Sequence, residues 1–250
     1  PWYEGHACDP VEPTTCDQLV AMMPYQQLRV RPGSQWSYSN PAFRYLARII
    51  EALTGDSWQA YIQKNVLSPL DLQRSYFGTT PYWLVPDRSH NYYVEPDSAG
   101  GTRLIDNGAD FDPGITIPNG GWNAPLGDLV RYAAFLTGAA VDDETRRRFD
   151  AVLSRSSLEE MWVPRVPIRE DPAAEHRETM GLSYFLVRDG ERSVIGHTGS
   201  QAGFRAFFYF QPEKRTAVIA AFNTTNLEQS PEAAALYQAM MNAAYSVADP

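Results

Sequence analysis

Apolar residues recur at helical spacing through much of the first two thirds of the chain. The pattern predicts one helix from Asn40, taken as its N-cap, to Gly55. A second helix is expected to follow at once and to end before Pro69, with Asp56 and Gln59 arranged as a capping box. Three further helices are predicted at Pro125 to Gly138, Glu144 to Leu153 and Ser157 to about Trp162.

Between about Gly78 and Gly121 no period is sustained, and Pro, Gly, Asp and Asn are scattered among aromatic residues. Long loops inside compact domains are often binding or lid loops. Two interpretations remain open: this segment is a wall of a substrate site, or it is an aromatic-rich loop packed on the core.

The last third has the short apolar runs of β-strands. GLSYFLV, SVIGH, FRAFFYF and TAVIAAF are separated by short turns, which predicts an antiparallel meander. Ser230 and Pro231 then begin a final helix, whose apolar stripe should cover one face of the sheet. This order indicates an α+β fold, an antiparallel β-sheet flanked by helices with an adjacent mostly helical region.

The acidic balance of the chain excludes two classes of partner. Its 250 residues include 21 Lys and Arg against 30 Asp and Glu, a formal net charge of -9. We therefore expect no nucleic acid partner and no attraction to an anionic membrane. No apolar run is long enough for a membrane span, and the first residues do not resemble a signal peptide. Because the chain begins at Pro1 rather than Met, we expect further residues upstream.

Cys8 and Cys16 flank a Pro-containing loop that a disulfide could close outside the cytoplasm. The pattern favours this bond over free thiols, and favours a periplasmic or secreted location over a cytoplasmic one. A metal site using His6 with both cysteines is the weakest alternative, because no fourth ligand or CxxC spacing accompanies them.

Familiar catalytic motifs are mostly absent. The sequence has no GxSxG, HExxH, GxGxxG or P-loop, and its four histidines are not at ligand spacing. We therefore expect no metal and no cofactor.

Two segments carry a resemblance to a known family. They are PGSQWSYSNPAFRYLARIIEALTG, around Tyr38-Ser39-Asn40, and GHTGSQAGFRAFFYFQPEKRTAVIAAFN, around His197-Thr198-Gly199. Together they resemble the serine β-lactamase and penicillin-binding superfamily, and within it the class C branch that also contains D-Ala-D-Ala carboxypeptidases, D-aminopeptidases and esterases. The resemblance extends from about Arg31 to Asn223.

The resemblance implies that residues 1–250 are the C-terminal portion of one β-lactamase-like catalytic domain. A helical region with the site loops would occupy about residues 30–175, and antiparallel strands plus the C-terminal helix about 176–250.

The family's nucleophile motif, Ser-x-x-Lys, is missing from the sequence. The only lysines are Lys64 and Lys214, and the residues three places earlier are Tyr61 and Gln211. We therefore expect a partner, either an N-terminal segment or a second chain, that carries Ser-x-x-Lys.

The resemblance assigns Tyr38 to proton transfer from the missing serine, and Asn40 to hydrogen bonds with the missing lysine and the substrate amide. The alternatives are an aromatic ring packed beside Trp36 for Tyr38 and the helix cap for Asn40. His197 stands where many β-lactamases have Lys, on a strand expected to face Tyr38 across the cleft. It would orient the phenol or a substrate carboxylate, or be a surface histidine at a strand end.

The remaining assignments lie along the same strand. The resemblance implies that Thr198, Gly199 and Gln201 bind substrate. The backbone N–H of Ser200 would form half of an oxyanion hole, with the missing serine's own N–H as the other half.

These residues predict a serine hydrolase that attacks a small-molecule or peptide acyl substrate, at an ester, peptide or β-lactam carbonyl, through an acyl-enzyme. His197 in place of Lys favours an esterase or peptidase over a dedicated β-lactamase. Two alternatives stay open, a true class C-type β-lactamase and a non-catalytic binding or regulatory protein of the same fold.

Overall fold

The computed structural model describes residues 15–108 and 113–250. The helices are α1 Cys16–Met22, α2 Asn40–Thr54, α3 Trp58–Ile62, α4 Ile117–Gly120, α5 Leu126–Thr137, α6 Asp143–Val152, α7 Arg155–Met161 and α8 Pro231–Ala248. The strands are β1 Tyr76–Phe77, β2 Tyr92–Pro96, β3 Thr102–Asp106, β4 Trp122–Asn123, β5 Val166–Asp171, β6 His176–Met180, β7 Phe185–Asp189, β8 Arg192–Gln201, β9 Phe204–Gln211, β10 Thr216–Phe222 and β11 Thr224–Thr225.

The main sheet has six antiparallel strands in the order β10-β9-β8-β7-β6-β5. The predicted meander of four strands is confirmed as β7 to β10. Two strands were missed, because Val166–Asp171 and His176–Met180 are rich in charged residues and lack a sustained apolar alternation. The sheet therefore begins at Val166, inside the region predicted to be helical.

The two faces of this sheet pack on different layers. On one face, Val187, Val194 and Phe207 form a buried cluster with Ala244 and Ala248 of α8, so the final helix covers a sheet face as predicted. On the other face, Phe210 joins a larger cluster with residues of the helical region. Its buried members are Leu67, Leu70, Leu72, Phe135, Leu136, Leu158 and Phe210. The α+β fold is confirmed.

The helix that follows Tyr38 begins with a different cap from the predicted one. Ser39 has an extended backbone, and its Oγ accepts the N–H of Ala42 at 3.3 Å. The prediction of Asn40 as N-cap is therefore wrong; Asn40 is the first residue of α2. Gly55 ends the helix in the left-handed conformation, φ 76°, as its position predicts.

Two other helix starts were also placed wrongly. Ser57, not an Asp56 box, caps α3 by accepting the N–H of Ala60 at 3.3 Å, and α3 continues as a π-helical turn over Gln63–Leu67. Ser154, not Ser157, caps α7. Each miss falls where several serines or acidic residues are close in sequence, since any of them is a favourable N-cap residue.

The segment from about Gly78 to Gly121 is not wholly irregular. Within its described part, β2 and β3 form an antiparallel hairpin, and β11 pairs with β2 in parallel. This hairpin escaped prediction because β3 is mostly exposed and so lacks an apolar alternation. Residues 109–112 lie outside the described ranges.

The predicted disulfide is not supported. Cys16 is a free thiol at the start of α1, where burial raises the thiol pKa. Cys8 and His6 lie outside the described residues. In the described ranges, no helix has the length and apolar character needed to cross a membrane.

Helix α2 presents an apolar stripe to the outside of the described structure. Arg44 is fully buried and donates to Asn119 Oδ1 at 3.0 Å. Leu46, Ile49 and Leu53, one or two turns apart, are 52%, 52% and 80% exposed. Apolar helix faces normally lie against protein, so this stripe is an unusual exposed apolar surface of the described structure.

Candidate active site

Strand β8 projects beyond its neighbour β7 and leaves an open edge. Its pairing with β7 stops at Phe185 opposite Gly196, whereas its pairing with β9 continues to Gln201 opposite Phe204. Among the described residues, 197–201 are therefore paired along one side only. An extended substrate could lie along the other side and use the free backbone groups.

The register directs the Ser200 N–H to that open edge. Ala202 and Gly203 form a two-residue turn with φ of 50° and 80°, so the flanking pair Gln201 and Phe204 is hydrogen-bonded. Pairs alternate in an antiparallel ladder, and the next pair, Ser200 with Arg205, therefore points its backbone groups away from β9. An oxyanion-hole donor must be free of a protein acceptor, so this orientation is compatible with the role that stays a prediction for Ser200.

Alternation along β8 also separates its side chains. Ile195 packs on the helical side of the sheet, and His197, Gly199 and Gln201 share that side because strand side chains have a period of two. Thr198 and Ser200 project their side chains to the opposite face, and both are exposed.

Tyr38 and His197 come together although 158 residues separate them in the sequence. Their ring centroids are 6.3 Å apart at an interplanar angle of 43°. Trp36 lies 6.3 Å from Tyr38 and Phe185 lies 4.9 Å from His197. The Tyr38 side chain remains 51% exposed, so packing beside Trp36 does not bury the phenol. The expected juxtaposition is present, and the catalytic roles stay predictions.

The imidazole of His197 is held in one tautomer. Its Nδ1 lies 2.5 Å from the carbonyl oxygen of Thr198, and because a carbonyl only accepts, Nδ1 carries the proton. Burial lowers the pKa of His197, so the ring is neutral at pH 7 and its Nε2 is an acceptor. The ring therefore brings no permanent positive charge to the site.

Gln201 is tied to the 3₁₀ turn Gly114–Thr116 and to α4, which follows this turn. Its Nε2 donates to Thr116 Oγ1 at 3.1 Å, and its Oε1 lies so close to Gly120 that a Cβ there would be 2.3 Å away. A residue with a side chain could not replace Gly120 without moving Gln201. Gln201 thus joins β8 to this turn and to α4. Its contact with substrate stays a prediction.

Asn40 is half-buried at the start of α2, two residues after Tyr38. Because Ser39 supplies the cap, the Asn40 amide is not needed for the helix end. The conflict between its two predicted roles is thereby removed.

The sequence did not indicate that Phe185 packs on His197 or that Thr116 binds Gln201. The adjacent glycines Gly120 and Gly121 were the available signal that another residue, here Gln201, approaches this backbone closely. No group of His, Cys, Asp and Glu side chains within residues 15–108 and 113–250 could hold a metal ion.

The pH dependence of stability provides a test of the His197 environment. A histidine has a pKa near 6.5 when unfolded, and that of folded His197 is lower. As the pH falls below about 6.5, the unfolded chain gains a proton that folded His197 excludes, so this residue lowers the free energy of unfolding. Urea unfolding from about pH 5 to about pH 8 should show that His197→Asn makes this acid-side loss shallower.

His176 is the matched control, because its pKa shift has the opposite sign to that of His197. Burial opposes its protonation, but hydrogen bonds to Glu178 at 3.1 Å and Asp189 at 3.2 Å raise the pKa of His176. Its contribution to stability is therefore present in acid and lost as the pH rises through its folded pKa. His176→Asn should flatten the alkaline side instead. The same change of slope for both variants would contradict the assignment.

Comparison with known proteins identifies the family. The β-lactamase family model matches residues 1–240. A D-aminopeptidase of Cereibacter sphaeroides is 26% identical over 192 residues, which cover 77% of this chain and 33% of that protein. The D-alanyl-D-alanine-carboxypeptidase/endopeptidase AmpH of Escherichia coli K12 is 22% identical over 80% of this chain and 48% of its own length. The chain thus spans between a third and a half of these relatives.

Solved structures show the same fold. The octameric penicillin-binding protein homologue from Pyrococcus abyssi aligns with a TM-score of 0.69 and 24% identity, over 96% of this chain and 50% of that one. A class C β-lactamase aligns with a TM-score of 0.62 and 16% identity, over 96% and 64%. Because the family model covers nearly the whole sequence, this chain belongs to the β-lactamase family.

Proposed function

We propose that this chain forms the proton-transfer and substrate-binding part of a serine hydrolase that works through an acyl-enzyme. The observation that carries the proposal is the pairing of Tyr38 with His197 beside the open edge of β8. The nucleophile would come from a Ser-x-x-Lys segment outside this sequence, whose lysines Lys64 and Lys214 cannot form the motif.

The reaction follows from the chemistry of these groups. The serine Oγ attacks the carbonyl carbon, and its proton passes to Tyr38, whose phenolate form needs a nearby cation. Since His197 is neutral, the lysine of Ser-x-x-Lys would supply that cation. The N–H of Ser200 stabilises the oxyanion. The leaving group takes the proton as its bond breaks, and water then attacks the acyl-enzyme by the reverse sequence.

The substrate class is an amide or peptide with a D-residue at the acyl position. The matched protein named D-aminopeptidase supports this choice. The neutral His197 also supports it, because β-lactam antibiotics carry a carboxylate that a positive charge would bind better. Thr198 and Gly199 would hold the acyl chain along the edge. The periplasmic or secreted location stays a prediction.

A substrate panel tests this proposal on the chain together with its Ser-x-x-Lys segment. We expect D-alanine p-nitroanilide to be cleaved at least about 10-fold faster, in kcat/KM, than the L-isomer and than nitrocefin. The two isomers are matched controls, since their leaving group is the same. Nitrocefin as the best substrate would favour the class C β-lactamase alternative.

A second candidate function is that of a non-catalytic binding or regulatory protein of the same fold. The absence of Ser-x-x-Lys from this sequence favours it. Binding of a D-alanyl-D-alanine peptide with no turnover in any form of the protein would favour it. The Tyr38 and His197 pair favours the enzyme, because a binding protein needs no proton-transfer group.

A further inference from the structure

A cavity of about 930 Å³ lies at the other end of β8 from His197, between the helical side of the sheet and helices α5, α6 and α7. Its lining includes none of the residues Tyr38, Asn40, His197 or Ser200. The volume is within the range of small-molecule sites, roughly 300–1,000 Å³. The cavity is therefore separate from the candidate active site.

The inner wall of the cavity is apolar. Leu186 and Ile195 come from the sheet, and Phe149, Leu153 and Leu158 come from the helices above it. Such a wall can take an aliphatic or aromatic body, because burying it removes apolar surface from water.

The rim of the cavity is basic in an acidic protein. Asp150, Glu159 and Glu213 are outnumbered by five arginines, Arg146, Arg155, Arg177, Arg188 and Arg215. Arg155 is already occupied, since it donates to Glu159 Oε1 at 2.9 Å and to the Leu136 carbonyl oxygen at 2.7 Å. Arg146 lies 3.8 Å from the Asp143 carboxylate. The excess of positive charge therefore comes from Arg177, Arg188 and Arg215.

Arg177 and Arg188 concentrate this charge at one place. They are directly opposite each other on β6 and β7, so their side chains share a face. Like charges at opposed positions are unfavourable. Among the described residues neither forms an ion pair, and Glu170, opposite Arg177 on β5, is not within 4.0 Å of it. Arg188 donates only to the Gly190 carbonyl oxygen, at 3.3 Å. An anion between the two guanidinium groups would relieve their repulsion.

We propose that this cavity binds a small organic anion with an apolar body, such as a medium-chain carboxylate. Arg177 and Arg188 hold the charged group, and the apolar body lies between Leu186 and Phe149. Both arginines sit at the cavity mouth and are exposed, so the ligand enters with its charge toward solvent.

Calorimetric titration of the full chain with octanoate and with octan-1-ol tests the proposal. The two probes share the apolar body and differ in charge. Octanoate should bind at least about 10-fold more tightly than octan-1-ol, because charge-assisted hydrogen bonds are the stronger ones. The double variant Arg177→Gln/Arg188→Gln should lose about 10- to 100-fold in octanoate affinity and leave octan-1-ol affinity unchanged.

Arg147→Gln/Arg148→Gln is the matched control, since it also removes two positive charges. Both arginines lie on α6, do not line the cavity and pair with Glu144. It should change octanoate affinity less than about 2-fold. The cavity variant should also unfold at a temperature no lower than the parent, because a repulsion has been removed. Equal affinities for the two probes, an equal loss in both variants, or no binding of either probe would overturn the proposal.

Discussion

The chain by itself is expected to give no covalent adduct with penicillin or a fluorophosphonate, and no hydrolysis of p-nitrophenyl esters above background. Tyr38, His197 and the Ser200 N–H can position and polarise a carbonyl group, but none is an activated nucleophile. Rate enhancement by an acyl-enzyme route requires the attacking oxygen, and half an oxyanion hole has little to stabilise without it. The expected effect is therefore complete loss rather than a reduced rate.

Addition of a Ser-x-x-Lys segment, fused at the N-terminus or co-expressed as a second chain, should restore labelling and turnover. The matched control is the same segment with its serine replaced by alanine, which should assemble with the chain and remain unlabelled. Peptide mass mapping locates the adduct. A labelled serine within residues 15–108 or 113–250 of the chain alone would require a different nucleophile and would contradict the proposal.

Assembly has a readout that does not depend on catalysis. The stripe of Leu46, Ile49 and Leu53 on α2 is open in the described structure, so the chain alone should bind a hydrophobic dye. Either segment, with serine or with alanine, should lower the dye signal by covering apolar surface. A loss of activity with intact assembly can then be separated from a failure to assemble.

Most helices and strands could be predicted from the local sequence pattern, and the errors at helix starts also have local causes. Gly55 and Gly138 ended their helices where expected, because each adopts the left-handed conformation that favours glycine. Asn40 was wrongly predicted as the cap in place of Ser39, since both residue types favour that position and only the backbone angles distinguish them.

The apolar stripe of α2 shows a different limit. The spacing of its apolar residues puts five of them on one face, namely Phe43, Leu46, Ala47, Ile50 and Leu53. In the structure Ala47 is buried and Phe43 and Ile50 are half-buried, but Leu46 and Leu53 are exposed. A sequence pattern gives the presence of an apolar face and not which part of the protein covers it.

The sequence indicated which segments meet at the candidate site, but not the residues that pack on them. The tripeptides around Tyr38 and His197 marked two segments that belong together, and the rings do meet. The partners of these segments, Phe185 on His197 and Thr116 on Gln201, depend on the register of elements distant in sequence. The neutral state of His197 likewise depends on burial, which no tripeptide reveals.

Tyr38→Phe, in the protein complete with its Ser-x-x-Lys segment, is expected to lower the acylation rate by about 10²- to 10⁴-fold, the usual size for a positioned proton-transfer group. The change removes one oxygen and keeps the ring that lies 6.3 Å from His197 and from Trp36. Because the phenol is half-exposed, the fold and the melting temperature should be unchanged.

Tyr25→Phe is the control, since it makes the same chemical change at an exposed tyrosine that is neither a predicted site residue nor part of the segment Gly78 to Gly121, and it should retain full activity. The measurement is stopped-flow acylation by an activated ester, with substrate affinity determined separately. Removal of a proton-transfer group lowers the acylation rate and leaves affinity nearly constant, whereas a packing role would weaken binding or stability instead. Near-normal acylation by a well-folded Tyr38→Phe protein would remove Tyr38 from the mechanism, and would leave the lysine of Ser-x-x-Lys or Nε2 of His197 as the base.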